Sequence, residues 1–213
     1  VIICVSENTK NDMLKYFNVD EKKARVVYHG IDIPDLSRLP KRRLVGDEYI
    51  LFVGRRHRHK NFKRFIEAFA IVHTKHPDIK LVCTGDKFTS EEISLMTDLK
   101  VIDAVKLIQA NEVEMKMLYR DASFFIFPSL YEGFGMPILE AWSCNCPVLL
   151  ADASCFPEIA GDAGLYFQPT SVDDMIDKME KALTDEELRK SLMAKGSERV
   201  KMFSWKRCAN EHF

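Results

Sequence analysis

The sequence carries no surplus of positive charge, no long apolar run and no paired-cysteine motif, and each lack removes a class of function. Lys and Arg number 31 against 32 Asp and Glu, a formal charge of -1. A domain that coats nucleic acid or an anionic bilayer ordinarily carries a visible basic excess, so any positive potential here is local. No stretch approaches the roughly 20 apolar residues needed to span a bilayer, and no signal peptide is evident. The six cysteines (Cys4, Cys83, Cys144, Cys146, Cys155, Cys208) show no C-x-x-C spacing, which sets aside zinc-ribbon and thioredoxin-like sites. Several sit in apolar runs, as buried free thiols do, and such usage fits a reducing compartment.

What is there suits a folded α/β protein. The 213 residues are 46% hydrophobic and 30% charged, room for one well-buried domain with a fragment of a second. The chain opens on a strand-like run without an initiator Met and stops within a helical pattern, so an excised piece of a longer protein is expected. Short β-branched runs at 1–5, 25–28, 49–53, 79–84, 105–107, 124–127, 147–150 and 165–167 alternate with amphipathic stretches. In 61–76, Phe62, Phe65, Ile66 and Phe69 recur at helical spacing on one face. Capping pairs mark further helix starts: Thr89 with Glu92, Asn111 with Glu114, Thr184 with Glu187. This alternation predicts a Rossmann-like parallel sheet with helices on both faces. Two short strands precede Pro34, and a polar connector through 36–46 marks a boundary, dividing the chain into 1–33 and 34–213.

Ligands of such sheets lie beyond the carboxyl ends of the strands, which directs attention to the loops 54–60, 85–88, 108–111 and 129–136. The first, Gly54-Arg55-Arg56-His57-Arg58-His59-Lys60, puts four cations on one turn that feeds a helix. A diphosphate requires guanidinium forks, an ammonium and helix N-terminal amides. A merely solvated loop is the plain alternative, and nucleic-acid binding fits poorly because no stacking aromatics interleave with the cations. The other rich loop runs Ser129-Leu130-Tyr131-Glu132-Gly133-Phe134-Gly135-Met136-Pro137-Ile138-Leu139-Glu140. Gly133 and Gly135 permit close backbone approach, and Pro137 fits the first helical position. Glu140, taken as lying in the first turn, has a simple explanation as a complement to the helix dipole. Glu132 has none: beside amides built for an anion it would compete with phosphate unless it reaches sugar hydroxyls. A partial dinucleotide fingerprint, Gly133-x-Gly135 with Asp152 downstream, fails because Ile138 occupies the third glycine position.

Together these segments resemble the retaining glycosyltransferases of the GT-B fold (glycosyltransferase group 1, family GT4). Residues 127–141 resemble that family's E-x7-E segment, Gly54-Arg55 with Lys60 its G-R-x4-K phosphate loop, and Tyr28-His29-Gly30-Ile31-Asp32 its crossover into the C-terminal donor-binding domain. The resemblance implies that Arg55 and Lys60 clamp the diphosphate and stabilise the leaving nucleotide, with Gly54 in their loop. It implies that Glu132 lies against the donor sugar in an electrostatic and positioning role, among the amides of Gly133, Phe134, Gly135 and Met136. Glu140 would accept from ribose hydroxyls, and the base would lie near Gln109–Asn111. It further implies a nucleoside-diphosphate sugar as substrate and no cofactor, the two cations standing where other transferases use a metal; no D-x-D signature ends a strand.

His29-Gly30-Ile31-Asp32 with Arg55-Arg56 resembles mannosyltransferase-like members, which implies GDP-mannose as the favoured donor. The acceptor is a glycan or lipid-linked sugar, met by the full-length protein at the inner face of the membrane, peripherally and from the cytoplasm, through an N-terminal domain of which 1–33 is a remnant. A histidine of that absent half would complete the site, so the fragment is expected to bind nucleotide weakly and to transfer no sugar. A binding module that has lost catalysis and a GT-B-like epimerase stay open beside transfer. Two departures from the family pattern, Asp86-Lys87 after Gly85 and the lack of glycine in 105–111, leave the nucleotide undecided.

Overall fold

The computed structural model describes residues 1–212. β1 (Ile2–Cys4), α1 (Glu7–Tyr16) and β2 (Ala24–Val26) form a small unit whose two strands pair in parallel. Then follow β3 (Tyr49–Phe52), α2 (Phe62–Lys75), β4 (Lys80–Cys83), α3 (Ser90–Asp98), β5 (Val105–Leu107) and α4 (Glu112–Asp121). The chain continues through β6 (Phe124–Phe127), α5 (Met136–Ser143), β7 (Val148–Ala151), α6 (Phe156–Ala160) and β8 (Leu165–Phe167). It ends with α7 (Val172–Thr184), α8 (Glu186–Arg199) and α9 (Trp205–His212).

The later strands make one parallel sheet in the order β5-β4-β3-β6-β7-β8. Every residue of β3, β6 and β7 is buried, which is why these strands read as continuous apolar runs: helices cover both faces. α2 packs on α3 and α7, while α4 and α8 pack on α5. The four apolar residues of α2 picked out by their spacing are all buried, each worth roughly 1.5–3 kcal/mol. β3 and β6 are neighbours, yet the chain moves outward from β3 through β4 to β5 and from β6 through β7 to β8. The sheet therefore reverses direction between β3 and β6, and such a switch point leaves a crevice at the carboxyl ends.

Some local expectations need correction. Thr89 and Asn111 head full capping boxes with Glu92 and Glu114, but Thr184 does not: it closes α7 and donates to the Glu180 carbonyl. Asp185 caps α8 through the Leu188 amide instead. α5 begins at Met136, so Pro137 is its second residue and Glu140 lies in the second turn, where a macrodipole gains little from it. All six cysteines are buried and free. Burial pushes the Cys155 thiol up to about 12 and raises Cys83 and Cys146 strongly, so these thiols stay protonated and serve as small apolar side chains.

Candidate functional site

The loops that follow β3 and β6 meet at the switch point. The Leu130 amide donates to the His59 carbonyl at 2.7 Å, stitching one loop to the other. Across that seam the Lys60 ammonium contacts Glu132 Oε1 at 2.6 Å, with side chains only 15% and 17% exposed. The ammonium also rests 4.8 Å from the centre of the Phe127 ring. A pair this sheltered is strongly coupled, since removing one partner strands the other charge at a cost of about 3–5 kcal/mol.

The other cations of the first loop part company. Arg55 reaches Asp86 at 3.4 Å with the side chains 69% and 67% exposed, a contact of the kind worth 0–1 kcal/mol, so its guanidinium is free to turn to a ligand. Arg56 is 3% exposed, pairs with Glu92 at 3.0 Å, donates to the Asp86 and Lys87 carbonyls, and lies over Phe88 and Phe62. It is a structural strut joining the loops after β3 and β4. Those loops touch: a methyl on Gly85 would stand 2.6 Å from the Gly54 carbonyl oxygen, and both glycines have φ near +100° (104° and 103°).

Helix starts distinguish this edge further. α1, α3, α4, α7 and α8 each have a side-chain oxygen accepting from their first turn. α2 and α5, which follow the two switch-point strands, have none, and neither does the one-turn α6. Asn61 precedes α2 at φ 56° but spends its amide on the Pro169 carbonyl, 2.7 Å away. Gly135 precedes α5 at φ 93°. First-turn amides without a cap are donors available to an anion.

The remaining predicted residues divide. Gly133 and Met136 lie in or beside this loop, whereas the Phe134 ring is buried against Tyr28, His29 and Phe203 and contributes backbone only. Glu140 does not meet Glu132. Its Oε2 accepts from the buried Tyr119 hydroxyl at 2.9 Å, and it opens on a separate cleft of about 300 Å³ shared with Asp32, Lys116 and Trp205. Burial raises the Tyr119 phenol well above its ordinary 10.0, so Tyr119 stays a donor and leaves Oε1 of Glu140 to accept elsewhere. In the 108–111 loop, Gln109 donates to the Gly85 carbonyl and Asn111 is occupied by its cap. Among the described residues, no group of three or more His, Cys, Asp or Glu side chains stands ready to hold a metal ion, and no helix is long and apolar enough to cross a membrane.

The family model for glycosyl transferases group 1 matches residues 38–199. The chain belongs to that family. Among curated relatives this group 1 glycosyltransferase chain is 26% identical to O-antigen chain mannosyltransferase B of Escherichia coli, over 99% of its own length and 58% of the relative's. It is 29% identical to the O-antigen chain mannosyltransferase RfbU of Salmonella typhimurium, over 79% of its length and 46% of the relative's. The chain thus spans about half the length of the curated relatives it matches. Its fold superposes on a glycosyltransferase from Rickettsia africae with a TM-score of 0.87 at 20% identity, covering 99% of this chain and 61% of that one.

Sequence reasoning missed what holds the group 1 loop from below. The Ser154 hydroxyl, in the loop after β7, accepts from the Glu132 amide and donates to the Glu132 carbonyl. The loop after β7 also ends a parallel strand at the switch-point edge, and the rule that directed attention to the other loops applies equally to it. His29 packs against the Phe134 and Trp205 rings. Burial lowers its pKa below the ordinary 6.5, with His212 adding to the effect. The unfolded chain therefore binds the proton first, and stability present above pH 6.5 is lost as pH falls through the window beneath it. Thermal melts from about pH 7.5 to 5.5 are expected to show a decline that His29→Gln flattens.

Proposed function

We propose that the chain is the donor-binding half of a retaining glycosyltransferase, moving a sugar from a nucleoside-diphosphate sugar, GDP-mannose, to a glycan or lipid-linked acceptor. Residues 34–213 then form the donor domain, and 1–33 belong to the acceptor domain and crossover. The full-length protein works in the cytoplasm, peripherally at the inner membrane face. What carries the proposal is the Lys60–Glu132 contact across the switch point, beside two helices, α2 and α5, whose starts carry no side-chain cap. The names of the mannosyltransferase relatives support the choice of sugar.

The chemistry follows from charge. The diphosphate draws Lys60 and Arg55, and each such donor is worth about 2–4 kcal/mol where charge develops on the leaving group. Glu132, released from the ammonium, accepts from hydroxyls of the sugar, and the ribose extends away from Lys60 into the neighbouring cleft, where Oε1 of Glu140 accepts from it. The bond from the anomeric carbon to the phosphate oxygen breaks with its electron pair going to that oxygen. The acceptor oxygen bonds to the same face of the sugar and passes its proton to the departing phosphate. Two protein cations balance the diphosphate, so no metal is required.

Calorimetric titration with GDP, UDP and ADP tests this directly. GDP is expected to bind most tightly, with a Kd on the order of 100 μM (about -5.5 kcal/mol) for the fragment, weakening as salt rises. A chain that binds none of the three is not a donor domain.

A further inference from the structure

α1 and its cap, Ser6, belong to the front segment, yet they hold two residues of the loop after β6, Tyr131 and Gly133. The Tyr131 hydroxyl donates to Asp12 at 2.8 Å. The Gly133 carbonyl accepts from both Ser6 and Thr9, at 2.7 and 3.1 Å. Between them, Glu132 has both of its backbone polar groups on one hydroxyl: Ser154 Oγ accepts from the amide at 3.1 Å and donates to the carbonyl at 2.7 Å. The same oxygen receives the Asn8 side-chain amide at 3.4 Å. Ser154 stands at φ 54°, a left-handed conformation a non-glycine residue adopts at a cost. On the far side, both carboxylate oxygens of Glu158 accept from α1, from the Glu7 and Asn8 amides, and Arg199 braces the Glu158 carbonyl.

We propose that Ser154 and the first turn of α1 form a clasp that positions Glu132 for the sugar part of the donor, so that the front segment governs sugar recognition but not nucleotide recognition. Ser154, Ser6 and Thr9 are positioning residues, because each touches backbone and none faces the crevice cations. The clasp fixes the peptide groups on both sides of Glu132 while leaving its carboxylate to exchange Lys60 for a sugar hydroxyl. Lys60 and the helix amides, which would hold the diphosphate, take no part in it. The clasp rests on the donor-binding reading above and deepens it.

Ser154→Gly tests the clasp without penalising the fold, since glycine adopts φ 54° freely and only the hydroxyl is lost. Affinities are measured for GDP against GDP-mannose and for UDP against UDP-N-acetylglucosamine, alongside the melting temperature. The expected result is nucleotide affinity within about twofold of the unaltered protein, with nucleotide-sugar affinity about tenfold lower, the loss of roughly one or two hydrogen bonds' worth of positioning. Thr9→Val, nearly isosteric, is expected to shift the same pair of affinities in the same direction by a smaller factor. Parallel loss of nucleotide and nucleotide sugar, or no change in either, overturns the clasp while leaving the donor site standing. An unaltered protein that binds no nucleotide overturns both.

Discussion

Lys60→Ala is expected to weaken GDP binding about 100-fold, more than any other single substitution in the first loop. A charge-assisted donor to phosphate contributes about 1.5–3 kcal/mol. The same substitution leaves Glu132, only 17% exposed, without the ammonium now 2.6 Å away. That unpaired carboxylate then faces the incoming phosphates. The two effects add, and 100-fold corresponds to about 2.7 kcal/mol. Arg55→Ala is expected to cost nearer tenfold, because its existing partner Asp86 is exposed and is stranded in water rather than in protein. Adding Glu132→Gln to Lys60→Ala removes the repulsion and recovers part of the loss. Calorimetry at fixed low salt reads all of these, and a Lys60→Ala protein binding GDP within twofold of the original excludes the clamp.

A large effect on stability, with no effect on binding, is expected away from the crevice, at Gly196. Alanine inside an exposed helix normally gains about 0.5–1 kcal/mol over glycine. In α8 the sign reverses: a methyl on Gly196 would stand 2.3 Å from Trp142 Cδ1 and 2.6 Å from its Nε1. Trp142 is 1% exposed and cannot swing aside, and its indole N–H already lacks a partner. Overpacking of this kind costs about 1–3 kcal/mol, and here the upper end applies because the contact involves a fully buried ring. Gly196→Ala is expected to lower the melting temperature by about 6–12 °C with GDP affinity unchanged. A stabilised variant means that α8 lifts freely from α5.

The sheet was legible because buried parallel strands are written in continuous apolar letters: the runs at 105–107, 124–127 and 165–167 coincide with β5, β6 and β8. Caps were legible where the spacing to the acid was unambiguous: Asn111 has no other acceptor beside it, and at Thr89-Ser90 the glutamate three residues on picks out Thr89. At 184–187 two acceptors stand side by side, and α7 running through Thr184 decides for Asp185. Lys60 and Glu132 could be singled out because each lies in a loop that leaves a strand's carboxyl end and matches a family motif. Arg55 and Arg56 are the same letter twice; only the aromatic slot between Phe62 and Phe88 separates the loose guanidinium from the strut. Ser154 was invisible for a different reason. It bonds to main-chain atoms, which any sequence offers, and nothing in Asp152-Ala153-Ser154 announces a left-handed φ. Glu140 was misplaced by one residue, because α5 starts at Met136 rather than Pro137, and its partner, Tyr119, sits on another helix.

Gly30 is where the front segment passes the start of α9: a methyl there would lie 2.1 Å from the Trp205 amide nitrogen, and the Ile31 amide donates to the Phe203 carbonyl at 3.2 Å. Outgoing and returning chain are therefore laminated at this point into a two-ply ribbon. A rotation of residues 1–29 over the sheet has to disturb the start of α9 as well.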